Sequence, residues 1–94
     1  MQIGKKELDL ISKKLKHEIN SCSFLGAGAH NENYLLNSKE KKFVLRIESA
    51  INKNPLKEEF FTLKLLENTN LAPKVHIYDS SKKIINKNYL IEGF

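Results

Sequence analysis

The chain of 94 residues has no tryptophan, one methionine, two prolines and one cysteine. The lone Cys22 cannot form an internal disulfide, which fits a reducing compartment. Apolar runs such as residues 89–91 are far too short to span a bilayer. No hydrophobic stretch follows the N-terminus, as a secretory signal peptide would require. These absences predict a cytoplasmic protein with no membrane partner.

Arginine is also scarce, although the chain is basic. The formal net charge is +5, yet fifteen of the sixteen cationic residues are lysines, spread along the chain among acidic residues. This distribution is typical of a solvated surface. Arginine is the preferred side chain for phosphates and base edges, so nucleic acid is disfavoured as a partner. The single arginine, Arg46, needs another explanation.

Hydrophobic periodicity predicts one α+β domain over residues 1–94. Apolar residues at three- and four-residue steps predict a helix over 5–19. A second helix is expected over 55–67, with Asn54 as its N-cap and Pro55 at its first position. The expected strands cover residues 21–26, 34–37, 43–48, 74–81 and 86–94, with a charged turn at 37–42 and a loop at 49–54. The predicted fold is therefore a five-stranded antiparallel sheet, with an N-terminal helix and one helix between strands 3 and 4.

Arg46 lies in the strand "FVLRIE", where Phe43, Leu45 and Ile47 alternate with it. An unpaired charge in such a strand would be costly, so it needs an anion. The second helix offers Glu59, which lies beside the inward stripe formed by Leu56, Phe60, Leu63 and Leu66. Such a pair either joins helix to sheet or serves a functional site, and the pattern leaves both open.

The stretch "FLGAGAHNENYLL" (24–36) places Gly26 and Gly28 between apolar runs, followed by a polar segment. Free backbone amides at Ala29, His30 and Asn31 would wrap an anion such as a polyphosphate. The structural alternative is a β-bulge and turn eased by glycine.

Taken in order, these features resemble the N-terminal lobe of the kinase fold, and more narrowly the aminoglycoside phosphotransferase and choline kinase superfamily. "FLGAGAHNENYLL" is similar to its nucleotide-covering loop, "FVLRI" to its third strand, and "LKEEFFTLKLLENTNLAPKVHIYD" to its helix and following strand. "YLIEGF" resembles the segment that leads into the hinge, and "LAPKV" is the most specific piece. The resemblance covers about residues 22–94.

The resemblance implies that Arg46 holds the α- and β-phosphates of ATP and is itself held by Glu59. It implies that Val44 packs on the adenine and that Ile91 stands behind it. The carbonyl of Glu92 and the amide of Phe94 would bond the adenine. The expected nucleotide-binding residues are Gly26, Gly28, Ala29, His30, Asn31, Val44, Arg46, Glu59, Ile91, Glu92 and Phe94.

The chain contains no H-x-D-x-x-x-x-N motif, and Asp9 and Asp79 lack the context of a catalytic or magnesium-binding aspartate. No histidines stand at a metal-ligand spacing. Because the chain stops at Phe94 without a tail signal, we expect it to be the front of a longer protein. The absent lobe would bind Mg²⁺ and a hydroxyl acceptor, such as choline, ethanolamine, a sugar or an aminoglycoside. These residues alone are expected to be inactive.

Two alternatives are a small basic α/β module whose first helix binds nucleic acid or an anionic surface, and a non-catalytic relative that binds nucleotide. Salt dependence separates the first alternative from a nucleotide pocket, because binding to a phosphate backbone weakens steeply as salt rises.

Overall fold

The computed structural model describes residues 3–27, 31–48, 55–69 and 73–94, with the backbone alone at positions 55, 58, 59 and 68. Its elements are α1 (Lys5–Leu15), β1 (Ile19–Ala27), β2 (Asn31–Ser38), β3 (Lys42–Glu48), α2 (Pro55–Leu66), a 3₁₀ turn (Glu67–Thr69), β4 (Val75–Asp79) and β5 (Tyr89–Gly93). The predicted order and α+β class are confirmed. The predicted loop at 49–54, with the N-cap Asn54, lies outside the described residues. None of the helices described is long and apolar enough to cross a membrane.

The first helix is shorter than the predicted helix over 5–19. It ends at Leu15 because Lys16 adopts a left-handed backbone with φ of 62°. The hydroxyl of Ser12 then accepts a hydrogen bond from the amide of Ile19 at 2.9 Å, where β1 begins. Ile19 is still buried, so the apolar spacing continues beyond the end of the helix.

The strands form one antiparallel sheet in the order β1-β2-β3-β5-β4. One face packs against α1 and contains the hydrophobic core. The buried core residues are Ile11, Ile19, Tyr34, Leu36, Phe43, Leu45, Ile47, Ile85, Tyr89 and Ile91. On β3 the buried residues alternate with the half-buried Val44 and Arg46, which confirms the predicted alternation.

Helix α2 packs against β4 and β5 on the opposite face. The ring of Phe60 stacks on Tyr78 with centroids 5.1 Å apart, and Leu56 is fully buried. Phe61 and Leu65 are exposed on the outer side of the helix, as the predicted inward stripe requires. Among the described residues, the β1–β3 part of this second face carries partly exposed side chains. We call it the open face, and it includes Asn33, Leu35, Val44 and Arg46.

An ion pair ties α1 to the end of β4. The ammonium of Lys14 lies 2.9 Å from Oδ2 of the buried Asp79, and the amide of Ser81 donates to Oδ1 at 2.8 Å. Burial of Asp79 opposes its ionisation, but the hydrogen bonds from Ser81 and Lys14 hold the pKa of this carboxyl well below its usual range. This contact fixes the helix over the core.

Candidate functional site

Arg46 lies on the open face and contacts a buried carboxylate. Its Nε lies 3.0 Å from Oε1 of Glu92, whose side chain is 4% exposed against 30% for Arg46. Arg46 is opposite Leu90 and Val44 is opposite Glu92, so Arg46 and Glu92 are diagonal neighbours on one face. The buried carboxylate thus anchors the guanidinium to the sheet.

This anchor was missed by sequence reasoning, which gave Glu92 a role for its backbone carbonyl only. The signal was present: Glu92 is the single acid of β5, as Arg46 is the single arginine of β3. The predicted partner, Glu59, lies in α2, but its side chain is outside the described part of the chain. The Arg46–Glu59 pair therefore stays a prediction.

The predicted phosphate loop is described only at its two ends, because Gly28, Ala29 and His30 lie outside the described residues. Gly26 belongs to β1, just after a shift of register between Phe24 and Gly26. This irregularity favours the structural alternative of a β-bulge at that glycine. Asn31, expected to offer its amide in a loop, is the first residue of β2 and lies opposite Glu48.

The sheet brings the hairpin beside the cation. Gly26 is opposite Asn33 on β2, and Asn33 is in turn opposite Arg46 on β3. These three residues form a row across neighbouring strands, with Gly26 about 10 Å from Arg46 at the usual strand spacing. A Cβ added to Gly26 would meet no atom of the described residues within 4 Å. There is therefore open space beside Gly26, at the hairpin end of the row. We call Gly26, Asn33 and Arg46 together the Arg46 row.

The side chains predicted to contact the adenine divide between the two faces. Val44 lies on the open face, two residues from Arg46 and opposite Leu35 of β2. Ile91 is fully buried in the core on the α1 face, opposite Leu45. Successive side chains of a strand point to opposite faces. On the open face, the β5 positions belong to Leu90 and Glu92, so Ile91 does not stand behind a ligand bound there.

Phe94 also differs from its predicted role. Its amide donates to the carbonyl of Lys42 at 3.2 Å, so it continues the ladder between β5 and β3. A bond from this amide to adenine would require that contact to open. The ring of Phe94 is 75% exposed and lies 5.9 Å from the ammonium of Lys42.

A second buried carboxylate, that of Glu48 at the end of β3, lies near the open face and had no predicted role. Glu48 is buried, and its amide donates to the carbonyl of Asn88 at 3.0 Å. Burial and the charge of Glu48 together raise the pKa of Tyr78 above its ordinary value. The described residues contain no group of three acidic, histidine or cysteine side chains able to hold a metal ion.

No family model, curated protein or solved structure matches this chain. Only the chemistry and placement of its own residues point to a function.

Proposed function

We propose that this chain is the nucleotide-binding lobe of an ATP-dependent small-molecule phosphotransferase. The observation that supports this most is the placement of Arg46. The sole arginine is anchored by the buried Glu92, lies on a partly exposed face, and shares a row with the glycine of the hairpin. An anchored cation beside a hairpin that carries closely spaced glycines suits a polyphosphate.

Arg46 supplies fixed positive charge to the phosphates. Arginine carries five N–H donors in a planar fork, which matches phosphate oxygens. Its Nε faces Glu92, and this contact orients the fork. Because the guanidinium is held in place before a ligand arrives, little ordering is needed when the phosphates bind.

Next to the cation, Val44 and Leu35 form an apolar surface for the adenine. They are opposite one another on β3 and β2 and both are half-buried. Val44 lies about 7 Å along the strand from Arg46, at the usual rise per residue. A nucleotide lying along β3 would place its base on Val44 and its phosphates on Arg46.

In the proposed reaction, the bond between the γ-phosphorus and the β–γ bridging oxygen breaks as a bond to the acceptor oxygen forms. The acceptor hydroxyl gives its proton to a base. The base, the magnesium ligands and the acceptor site would belong to a second lobe. The acceptor would be choline, ethanolamine, a sugar or an aminoglycoside. The described residues would bind ATP without transferring phosphate, in the cytoplasm.

A basic cluster supports the second candidate, a module that binds an anionic surface. His17 and His76 both contact the Phe43 ring, with centroids 5.5 and 5.1 Å away. Burial, and then the charges of Lys74 and Lys41, lower the pKa of His76. This cluster lies on the α1 face, away from the Arg46 row, so the two functions can be tested separately.

The test is a titration of the ¹⁵N-labelled chain with ATP and, separately, with tripolyphosphate. We expect millimolar ATP to shift the amide signals of Gly26, Val44 and Arg46, and tripolyphosphate to leave Val44 unchanged. R46Q should weaken ATP binding at least about tenfold, because a charge-assisted contact is lost. R46K should retain part of the affinity for ATP, because the positive charge remains.

K42Q is the matched control, since it removes one positive charge from the same strand at an exposed position. It should bind ATP like the wild type. If tripolyphosphate and ATP shift the same signals, or if K42Q and R46Q weaken binding equally, the chain is a general anion binder and the proposal fails.

A further inference from the structure

The Arg46 row contains a buried polar atom that receives no hydrogen bond from the described residues. The side-chain oxygen of Asn33 is inaccessible to water and has no hydrogen-bond partner within the described parts of the chain. Folded proteins rarely leave such an atom unpaired, because the lost hydrogen bonds to water cost stability. The oxygen of Asn88 is a second such atom, but it does not belong to the Arg46 row, whereas Asn33 lies at its centre.

Asn37 shows that the strand can satisfy an asparagine on the same face. It lies four residues further along β2, and its amide nitrogen donates to the hydroxyl of Ser21 at 3.0 Å. Asn33, by contrast, is opposite Gly26, which has no side chain to offer. None of the described residues occupies the position of a Gly26 Cβ, so the side-chain amide of Asn33 has room to turn toward the hairpin and bring its oxygen to a ligand on Arg46.

The chemistry of the atom defines its partner. An amide oxygen only accepts hydrogen bonds, so it needs a donor. The ionised phosphates of ATP are acceptors and cannot supply one. The ribose hydroxyls and the adenine amino group are donors, and the ribose is the nearer of the two to phosphates held by Arg46, which lies opposite Asn33. Asn33 and Arg46 are opposite each other on adjacent strands, with Cα atoms about 5 Å apart. One nucleotide can therefore reach both side chains.

We propose that Asn33 binds the nucleotide by accepting a hydrogen bond from a ribose hydroxyl, while Arg46 holds the phosphates. The proposal rests on the proposed function and adds a residue that determines specificity for nucleotides over bare polyphosphate. It predicts that Asn33 strengthens nucleotide binding and that its unpaired oxygen lowers the stability of the chain when no nucleotide is bound.

The decisive variant is N33L, which removes the acceptor and fits the open space at Gly26. We expect it to weaken ATP binding about threefold to tenfold, the usual range for one lost hydrogen bond. Its melting temperature should be equal to or higher than that of the wild type, because a buried unpaired oxygen is gone. A structural role for Asn33 predicts the opposite: lower stability and unchanged binding. N37L is the matched control and should bind ATP normally.

Ligand variants separate the ribose from the phosphates. The wild type should bind one of the two analogues, 2′-deoxy-ATP or 3′-deoxy-ATP, more weakly than ATP. N33L should bind that analogue and ATP with equal affinity. Tripolyphosphate should bind equally to the wild type and N33L. In the wild type, the side-chain amide signals of Asn33 should shift with ATP and not with tripolyphosphate, which tests the contact even if N33L fails to fold.

The outcomes distinguish this inference from the proposed function. If N33L binds ATP like the wild type while R46Q does not, Asn33 has no role and the proposed function stands. If both deoxynucleotides bind the wild type as tightly as ATP does, the hydroxyl contact is excluded. If the wild type binds no ATP, the proposed function fails and the inference fails with it.

Discussion

The ion pair between Arg46 and Glu92 gives a quantitative prediction about stability. The three variants R46Q, E92Q and R46Q/E92Q form a double-mutant cycle. At 3.0 Å and an effective dielectric constant near 20, the Coulomb attraction of two unit charges is about 5.5 kcal/mol. Partial exposure of Arg46 and desolvation of Glu92 oppose this attraction, so we expect a coupling free energy of about 1–2 kcal/mol.

The single variants should differ, because the two side chains are unequally buried. R46Q removes a positive charge beside a carboxylate that is 4% exposed, whereas E92Q removes a negative charge beside an arginine that is 30% exposed. We expect R46Q to lower the free energy of unfolding by about 2–3 kcal/mol and E92Q by about 1–2 kcal/mol. The double variant should then lie near R46Q.

The measurement is urea unfolding followed by far-ultraviolet circular dichroism at neutral pH. In a chain of this size, each 1 kcal/mol also moves the melting temperature by about 4–8 °C, which provides a second readout. A coupling below about 0.3 kcal/mol, within the scatter of additive variants, would refute the anchoring role of Glu92. So would an E92Q variant that is less stable than R46Q.

Two further predictions concern the fold. D79N should reduce stability at neutral pH by about 1–2 kcal/mol, since Lys14 is 42% exposed and its contact is partly screened. The folded pKa of Asp79 is depressed below its ordinary 3.8, so its stabilisation is present above about pH 4 and lost as pH falls toward the folded pKa. The gap between wild type and D79N in pH-dependent melting should therefore narrow in acid, and a constant gap would contradict the ion pair. L56A should lower the free energy of unfolding in urea by about 2–4 kcal/mol, because it leaves a cavity at a fully buried leucine. L65A, at an 82% exposed position of the same helix, should change the free energy of unfolding by no more than about 0.5 kcal/mol. Equal losses in the two variants would show that α2 packs by another face.

The order of the elements could be predicted because each has a local signal. The alternation of β3 and the apolar stripe of α2 are properties of consecutive residues, and they survive in the fold. The end of α1 could not be predicted from apolar spacing alone. It depends on the left-handed backbone at Lys16 and on the bond between Ser12 and Ile19, and Ile19 is buried whether it belongs to a helix or to a strand.

The site was predictable only in part, for a related reason. A single arginine in an apolar strand indicates that an anion is needed, and this reasoning led to Arg46. The identity of the anion depends on the register between β3 and β5, which are separated in sequence by α2 and β4. Local pattern favoured Glu59 on the next helix, and that pair stays a prediction. The same pattern could not find Glu92, which the sheet places diagonally beside Arg46. The same limit hid Asn33, whose proposed role depends on Gly26 and Arg46 on the neighbouring strands.

Stability alone does not account for the Arg46 row. Well-packed apolar residues in place of a buried ion pair are often neutral or stabilising, and Val44 and Leu90 show that apolar residues fit beside positions 46 and 92. The row combines that ion pair with an unpaired amide oxygen at Asn33. Native proteins tend to concentrate such unfavourable choices at functional sites. Two of them on adjacent strands, next to a glycine that leaves space above the sheet, favour a bound ligand as the reason that both are kept.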